Sequence, residues 1–171
     1  MRLGIRGKLF VGALLVITGA VLAGGIYLEP TLRAWLETRV EEELIRHART
    51  GVVAVEMPPQ LGPSADGLAD GLGRSMGARV TIIAADGRVL GDSELDRAQL
   101  ARVENHGDRP EVRRARGRGS GINRRYSTTL GTEMLYVAVT YRRSDGAGVV
   151  RVATPLSVVD EAVGRLRVVL L

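Results

Sequence analysis

Residues 9–28 read LFVGALLVITGAVLAGGIYL, twenty consecutive positions without a charged side chain. At 1.5 Å of helical rise per residue, such a run matches the roughly 30 Å hydrocarbon core of a bilayer. It predicts a transmembrane helix and divides the chain into a tail at 1–8, the span at 9–28 and everything beyond. Arg2, Arg6 and Lys8 precede the run and Glu29 follows it. The excess of cations on the N-terminal side places residues 1–8 in the cytoplasm and the remainder outside. Tyr27 falls where an interfacial aromatic belongs. The competing reading is a signal peptide cleaved at Val21-Leu22-Ala23, but the run exceeds the roughly 7–15 apolar residues of such peptides. Both readings export the rest of the chain.

Roughly 140 exported residues suit one ordinary domain. The chain has no cysteine, which rules out disulfides, zinc–thiolate sites and a thiol nucleophile. Its formal charge of +5 comes almost entirely from arginine, Lys8 being the only lysine. With abundant Ala, Gly and Val, that imbalance reflects codon bias and is poor support for nucleic-acid binding.

Leu32, Leu36, Val40 and Leu44 recur every four residues in 31–50, so a helix is expected whose apolar stripe winds slowly around it. Glu42 with Arg46, and Glu43 with His47, are favourable helix-surface pairs. Pro30 suits the first turn of a new helix or a modest kink in a continuous one. The prolines of 57–63 break that helix. A second, short helix should present Leu68, Leu72 and Met76 on one face, weakened by its glycines.

From Arg79 the period changes to two. Strands are expected at 79–84 and 88–90 around the Asp86-Gly87 turn, at 123–129, at 133–143 and at 148–154. The polar stretch 94–118 should hold short helices near 96–104 and 109–116, the latter N-capped by Asp108, and Gly117, Gly119 and Gly121 should form a loop. Five strands joined mostly by hairpins imply an antiparallel sheet with flanking helices, an α+β domain over 29–155. Residues 156–171 return to helical period, with Val159, Val163, Leu166 and Leu170 on one stripe. The apolar close of this exit helix leads to the expectation of a second transmembrane helix beyond it.

Four stretches, VTIIAADGRVLGDS (80–93), ENHGDRPEV (104–112), RYSTTLGTEMLYVAV (125–139) and VVRVATPL (149–156), resemble in order the periplasmic sensor region of phosphate-regulon-type sensor histidine kinases. The resemblance covers about residues 9–171 and departs at RRARGR (113–118), which is more basic than the family's Ala-rich helix. It implies a PAS-like, single-Cache-like domain between two membrane helices in a bacterial inner membrane. It also implies a homodimeric receptor whose kinase modules and cognate response regulator lie outside this sequence.

The chemistry-bearing residues are few. His47 is followed by Ala48, where a phosphoacceptor histidine needs an acidic neighbour, and reads as a solvated or dimer-seam residue. His106 lies among Glu104, Asn105, Asp108 and Glu111, where loop ordering outweighs metal ligation. Eight arginines between Arg102 and Arg125 form a basic patch suited to a solvated face, to anionic lipid headgroups or to an anionic signal. No aromatic residue interleaves with them, which argues against a nucleic-acid platform. The expected wall of a small-ligand site is Arg125, Tyr126 and Tyr136, with Arg109 nearby. The expected signal-transmitting seam, across a dimer two-fold, is Leu32, Leu36, Val40 and Leu44 with Val159, Val163 and Leu166. No catalytic motif, cofactor fingerprint or metal-binding motif is present, and a periplasmic protein partner is an alternative to a small ligand. Besides a kinase sensor, the reading leaves open the input domain of a chemoreceptor or cyclase, or an anchored extracytoplasmic binding module.

Overall fold

The computed structural model describes residues 4–57, 65–127, 131–144 and 146–170. It has an α+β fold of the PAS/Cache type: a long N-terminal helix and a five-stranded antiparallel sheet with flanking helices. The chain divides into two units, Met1–Thr38 with Val159–Leu171, and Arg39–Val158.

Helix α1 runs unbroken over Ile5–Glu56, with Pro30 inside it. Of the two readings of Pro30, the continuous helix is the one observed. Proline deletes a single N–H from the helical ladder, and the Thr31 hydroxyl beside it donates to the Tyr27 carbonyl at 3.0 Å. The most apolar window of α1 has a mean hydropathy of 2.4 and is entirely exposed. Among the described residues, α1 is the one helix long and apolar enough to cross a membrane. In the same unit, α5 (Ser157–Leu170) has Val159 and Val163 buried, and Arg33 of α1 forms an ion pair with Asp160. The side chain of Leu166 lies outside the described residues, as does most of the expected 57–63 breaker and the turn residues Leu130 and Asp145.

In the second unit, α2 (Ala65–Met76) precedes β1 (Arg79–Ala84) and β2 (Val89–Asp92), which flank the expected turn at Gly87. Next come α3 (Arg97–Leu100), α4 (Pro110–Arg118), β3 (Ser120–Ser127), β4 (Thr132–Arg143) and β5 (Gly146–Pro155). The strand order is β2-β1-β5-β4-β3, every neighbour antiparallel.

One face of the sheet carries Val80, Ile82, Leu135, Val137, Val150 and Val152, all fully buried. The C-terminal part of α1 covers it through Leu44, Ala48, Gly51 and Val55, whose spacing of four, three and four follows one side of a helix. Leu44 is buried here, while Leu32, Leu36 and Val40 are half-buried. Contact is close enough that a Cβ on Gly51 would come within 2.9 Å of Val150.

Helix α2 departs from expectation. Its buried stripe is Ala65, Ala69 and Gly73, with Leu68, Leu72 and Met76 only half-buried. Small residues win this face because the backbones nearly touch: a Cβ on Gly91 would meet the Ala65 carbonyl oxygen at 2.5 Å.

The stretch 94–119 also differs in detail. Helix α3 is only four residues long, closed by a capping box between Asp96 and Gln99. Helix α4 is capped by Arg109 without a side-chain bond, so Asp108 lies one position too early for the expected role. The expected glycine loop collapses to one residue. Gly119, with φ 83°, ends α4 in the left-handed conformation and β3 begins at once. Gly121 lies in the strand, where a Cβ would strike the Glu111 carbonyl oxygen at 2.1 Å.

Candidate functional site

Strand alternation puts Arg79, Thr81, Asp92, Met134, Tyr136, Ala138, Val149, Arg151 and Ala153 on the sheet face away from α1. Helix α4 covers one half of this face with Val112 and Ala115, which pack on Ile83, Ala138 and Val149. The other half is polar beneath the surface. Arg151 is 3% exposed, and Thr81, Asp92 and Glu111 are 1% exposed or less.

These groups form one network. Arg151 donates from Nη1 to Glu111 Oε1 at 3.4 Å and from Nη2 to Thr81 Oγ1 at 3.1 Å. The Thr81 hydroxyl in turn donates a hydrogen bond to Asp92 Oδ2 at 2.7 Å. Arg79 Nε donates to both Asp92 oxygens, at 2.9 and 3.2 Å, and Nη1 of Arg79 lies 3.4 Å from Glu94 Oε2. Two guanidiniums thus balance two buried carboxylates, the condition under which buried charge is tolerated. Burial pushes the Arg151 guanidinium below its ordinary pKa, and the Glu111 carboxylate opposes that fall.

His106 borders the network at 6% exposure, its backbone N–H bonded to the Gly87 carbonyl at 2.9 Å. Burial, then the nearby charges of Arg151 and Arg109, lower its pKa to about 3. The cations around it and its burial hold the His106 ring towards its neutral form. His106 Nδ1, Glu111 Oε2 and Arg151 Nε are buried without hydrogen-bond partners. Such orphans mark places where water or a ligand completes the bonding.

The residues expected to wall a ligand site separate. Tyr136 is 7% exposed and belongs to this face, with the Arg125 guanidinium 4.9 Å and that of Arg151 5.4 Å from its ring centroid. Tyr126, one residue from Arg125, points to the opposite face and is 58% exposed. Arg109 pairs with Glu104 at 3.3 Å. The eight-arginine patch disperses as well: Arg124 reaches Glu41 of α1 at 3.7 Å, and Arg116 reaches the Ala84 carbonyl at 3.3 Å. Sequence reasoning passed over Arg151, Asp92 and Thr81, and noted Glu111 only as a neighbour of His106. A signal was present in VVRVA, where a lone arginine interrupts an apolar strand.

Beside the network, where β1 begins and β2 and β5 end, a cleft of about 290 Å³ opens. Arg74, Arg79, Ser93, Glu94, Ala153 and Pro155 are among the residues that line it.

No protein-family model matches this sequence, and no curated protein matches it. The fold does match solved structures. The ligand-binding domain of the Campylobacter jejuni chemoreceptor Tlp3, in complex with L-valine, superposes with a TM-score of 0.63 at 14% identity, covering 87% of this chain and 65% of that one. The ligand-binding domain of the Pseudomonas aeruginosa PAO1 amino-acid chemoreceptor PctC, in complex with GABA, gives 0.60 at 14% identity, covering 82% and 69%. The sensor domain of the Vibrio cholerae histidine kinase DctB gives 0.50 at 17% identity, covering 88% and 59%. The chain thus spans about three-fifths to two-thirds of the length of most of these solved domains.

Proposed function

We propose that this chain is the signal-input part of a membrane sensor histidine kinase. In this reading α1 crosses a bacterial inner membrane with its N-terminus cytoplasmic, and the α+β domain meets an extracytoplasmic signal. The signal biases the incoming and exit helices, and cytoplasmic modules outside this sequence pass phosphate to a response regulator. The observation that carries the proposal is the continuity of α1: one helix holds both the apolar span and the residues packed on the sheet, Leu44 to Val55. The fold shared with extracellular sensor domains supports a sensory role. The four resembling stretches favour the kinase over a chemoreceptor, the second reading.

A small ligand is the proposed signal, because several domains of this fold were solved with amino acids or GABA bound. Dimerisation through the half-buried Leu32, Leu36 and Val40, with α5 alongside, would let a ligand shift the helix pair by its differential affinity, typically about 1–3 kcal/mol. The exposed Arg33–Asp160 pair adds little energy but links α1 to α5. Basic residues facing lipid headgroups remain part of this proposal.

Two measurements test it. The sequence contains no cysteine, so Arg102→Cys supplies a single thiol on an exposed residue. Intact cells should label it with a membrane-impermeant maleimide, whereas labelling only after lysis refutes the export. Fused to a cytoplasmic kinase with a reporter promoter, the wild-type chain should give regulated output, and Leu36→Glu should change basal output severalfold at normal protein level. Unaltered output from that variant rejects transmission through this helix. Reading the gene beyond the codon for Leu171 then discriminates the outputs: a His-acidic-x-x-Arg-Thr-Pro helix and a glycine-rich ATP site indicate the kinase, and a long coiled-coil hairpin the chemoreceptor.

A further inference from the structure

The positive charge of this chain is concentrated in one place. Residues 109–125, which make up α4 and most of β3, hold seven arginines and one acid, Glu111, a net +6, while the rest of the chain nets −1. Codon bias chooses arginine over lysine, but it does not strip a segment of acids. Glu111 is buried against Arg151, Arg109 pairs with Glu104 and Arg124 with Glu41. Arg113, Arg114, Arg116 and Arg118 remain, all exposed on α4 and none paired with a carboxylate among the described residues. Two of them are held by neutral groups, Arg114 by the Ile122 carbonyl and Arg116 by the Ala84 carbonyl at 3.3 Å. Such bonds fix a guanidinium without cancelling its charge. Arg116 and Arg118 complement the helix C-terminus, but Arg113, in the middle of α4, gains nothing there.

The position of this face decides among anionic partners. Within the Arg39–Val158 unit, Arg116 meets Ala84, which pairs with Gly148 near the start of β5. The same end holds the close of α1, where the Arg142 N–H donates to Glu56 at 2.8 Å and Arg143 donates to the Val55 carbonyl. The unit is tethered at its other end, by Arg39 and Val158. From Gly148 to Pro155 that is roughly 23 Å along β5. A bilayer surface met at the tethered end acts over a Debye length of about 8 Å, too short to reach α4. Apart from Pro110, the exposed residues of α4 are the four arginines and Gly117. Bases find no ring to stack on, and the face relies on charge, which gives fast, salt-sensitive association. Arg113 and Arg118 are about 7.5 Å apart along the helix axis, close to the roughly 6.7 Å between alternate side chains of an extended peptide.

We propose that the outer face of α4 docks a short acidic segment of a soluble extracytoplasmic protein. Glu111, on the inner side of the same helix, pairs with Arg151, so a partner that draws on α4 acts on the buried network. That the partner is extracytoplasmic rests on the sensory reading, whereas the docking itself is tested by binding alone.

The test is fluorescence anisotropy of fluorescein-labelled octaglutamate with the full 171-residue chain in uncharged detergent micelles. Octaglutamate should bind at low ionic strength and lose about tenfold or more in affinity by ~0.15 M salt. Arg113→Gln with Arg118→Gln should weaken it by about 3- to 20-fold, the loss expected for two exposed charge contacts. Arg97→Gln with Arg102→Gln, an equal change in net charge at exposed sites off α4, should leave it nearly unchanged. Far-UV circular dichroism checks that both double variants fold. Equal weakening by the two pairs, or no binding at low salt, overturns the surface. Polyphosphate of equal charge binding far more tightly than octaglutamate makes the occupant a phosphate polymer and overturns the protein partner. Gly117 has open space around it, so Gly117→Cys can carry a fluorophore in the chain reconstituted into phosphatidylglycerol–phosphatidylcholine vesicles. Quenching of that fluorophore by headgroup-attached quenchers puts α4 on lipid and likewise overturns the proposal. Octaglutamate binding that leaves the reporter fusion's output unchanged overturns the link to signalling and leaves the docking surface standing.

Discussion

Glu111→Ala should destabilise the sheet domain by about 3–5 kcal/mol, the usual cost of removing one member of a buried ion pair. Arg151 would be left 3% exposed with its charge unmatched, its remaining bond in the network being to Thr81. Against the ~5–15 kcal/mol by which domains of this size are stable, that loss brings the fold close to its limit. Glu111→Leu combined with Arg151→Met should recover most of the loss, because a well-packed apolar pair replaces a charge pair with little net change. Urea denaturation followed by far-UV circular dichroism measures both variants. If the single variant loses less than about 1 kcal/mol, the network does not behave as a desolvated pair and contributes no more than a surface contact.

The second large effect is a stability that depends on pH through His106. Its pKa falls from 6.5 to about 3 on folding, so the folded state disfavours the protonated ring. Below pH 6.5 the unfolded chain takes up a proton that the folded chain refuses, and stability drops by up to about 1.4 kcal/mol per pH unit. The contribution is complete above pH 6.5, is lost as pH falls towards 3 and is flat below that. At pH 5 the loss should be about 2 kcal/mol. His106→Asn has no ring to protonate, so its stability profile between pH 7 and 5 should be flatter than wild type by this amount. Parallel profiles would show that the ring is protonated in the fold, contrary to its surroundings.

Much of the fold was readable because it rests on local signals. Apolar alternation over 133–143, the Asp86-Gly87 turn and the charge-free run at 9–28 each specify their element without help from distant residues. Where the expectation slipped, a tertiary contact had overruled a local preference. Leu68, Leu72 and Met76 looked like a core stripe until backbone proximity at Gly91 demanded Ala65, Ala69 and Gly73 there instead.

The site was less legible for a related reason. Arg151 meets Glu111 and Thr81 across separations of 40 and 70 residues, and no window of sequence shows that register. Arg125 with Tyr136 was recoverable as two residues of neighbouring strands. Tyr126 faces the other side of the sheet from Arg125, since adjacent residues on a strand face opposite ways.

The strand order carries a consequence for how the domain is made. β1–β2 and β3–β4 are neighbours in sequence and can pair locally, but nothing joins the two hairpins until β5 lies between β1 and β4. The closing partners are distant in the chain, Arg79 opposite Ala153 and Ala84 opposite Gly148, a high contact order that slows folding. The sheet therefore cannot close until Pro155 has emerged from the ribosome. Under the proposed export, this late closure keeps the domain unfolded, and so able to pass a translocation pore, until its last strand has been made.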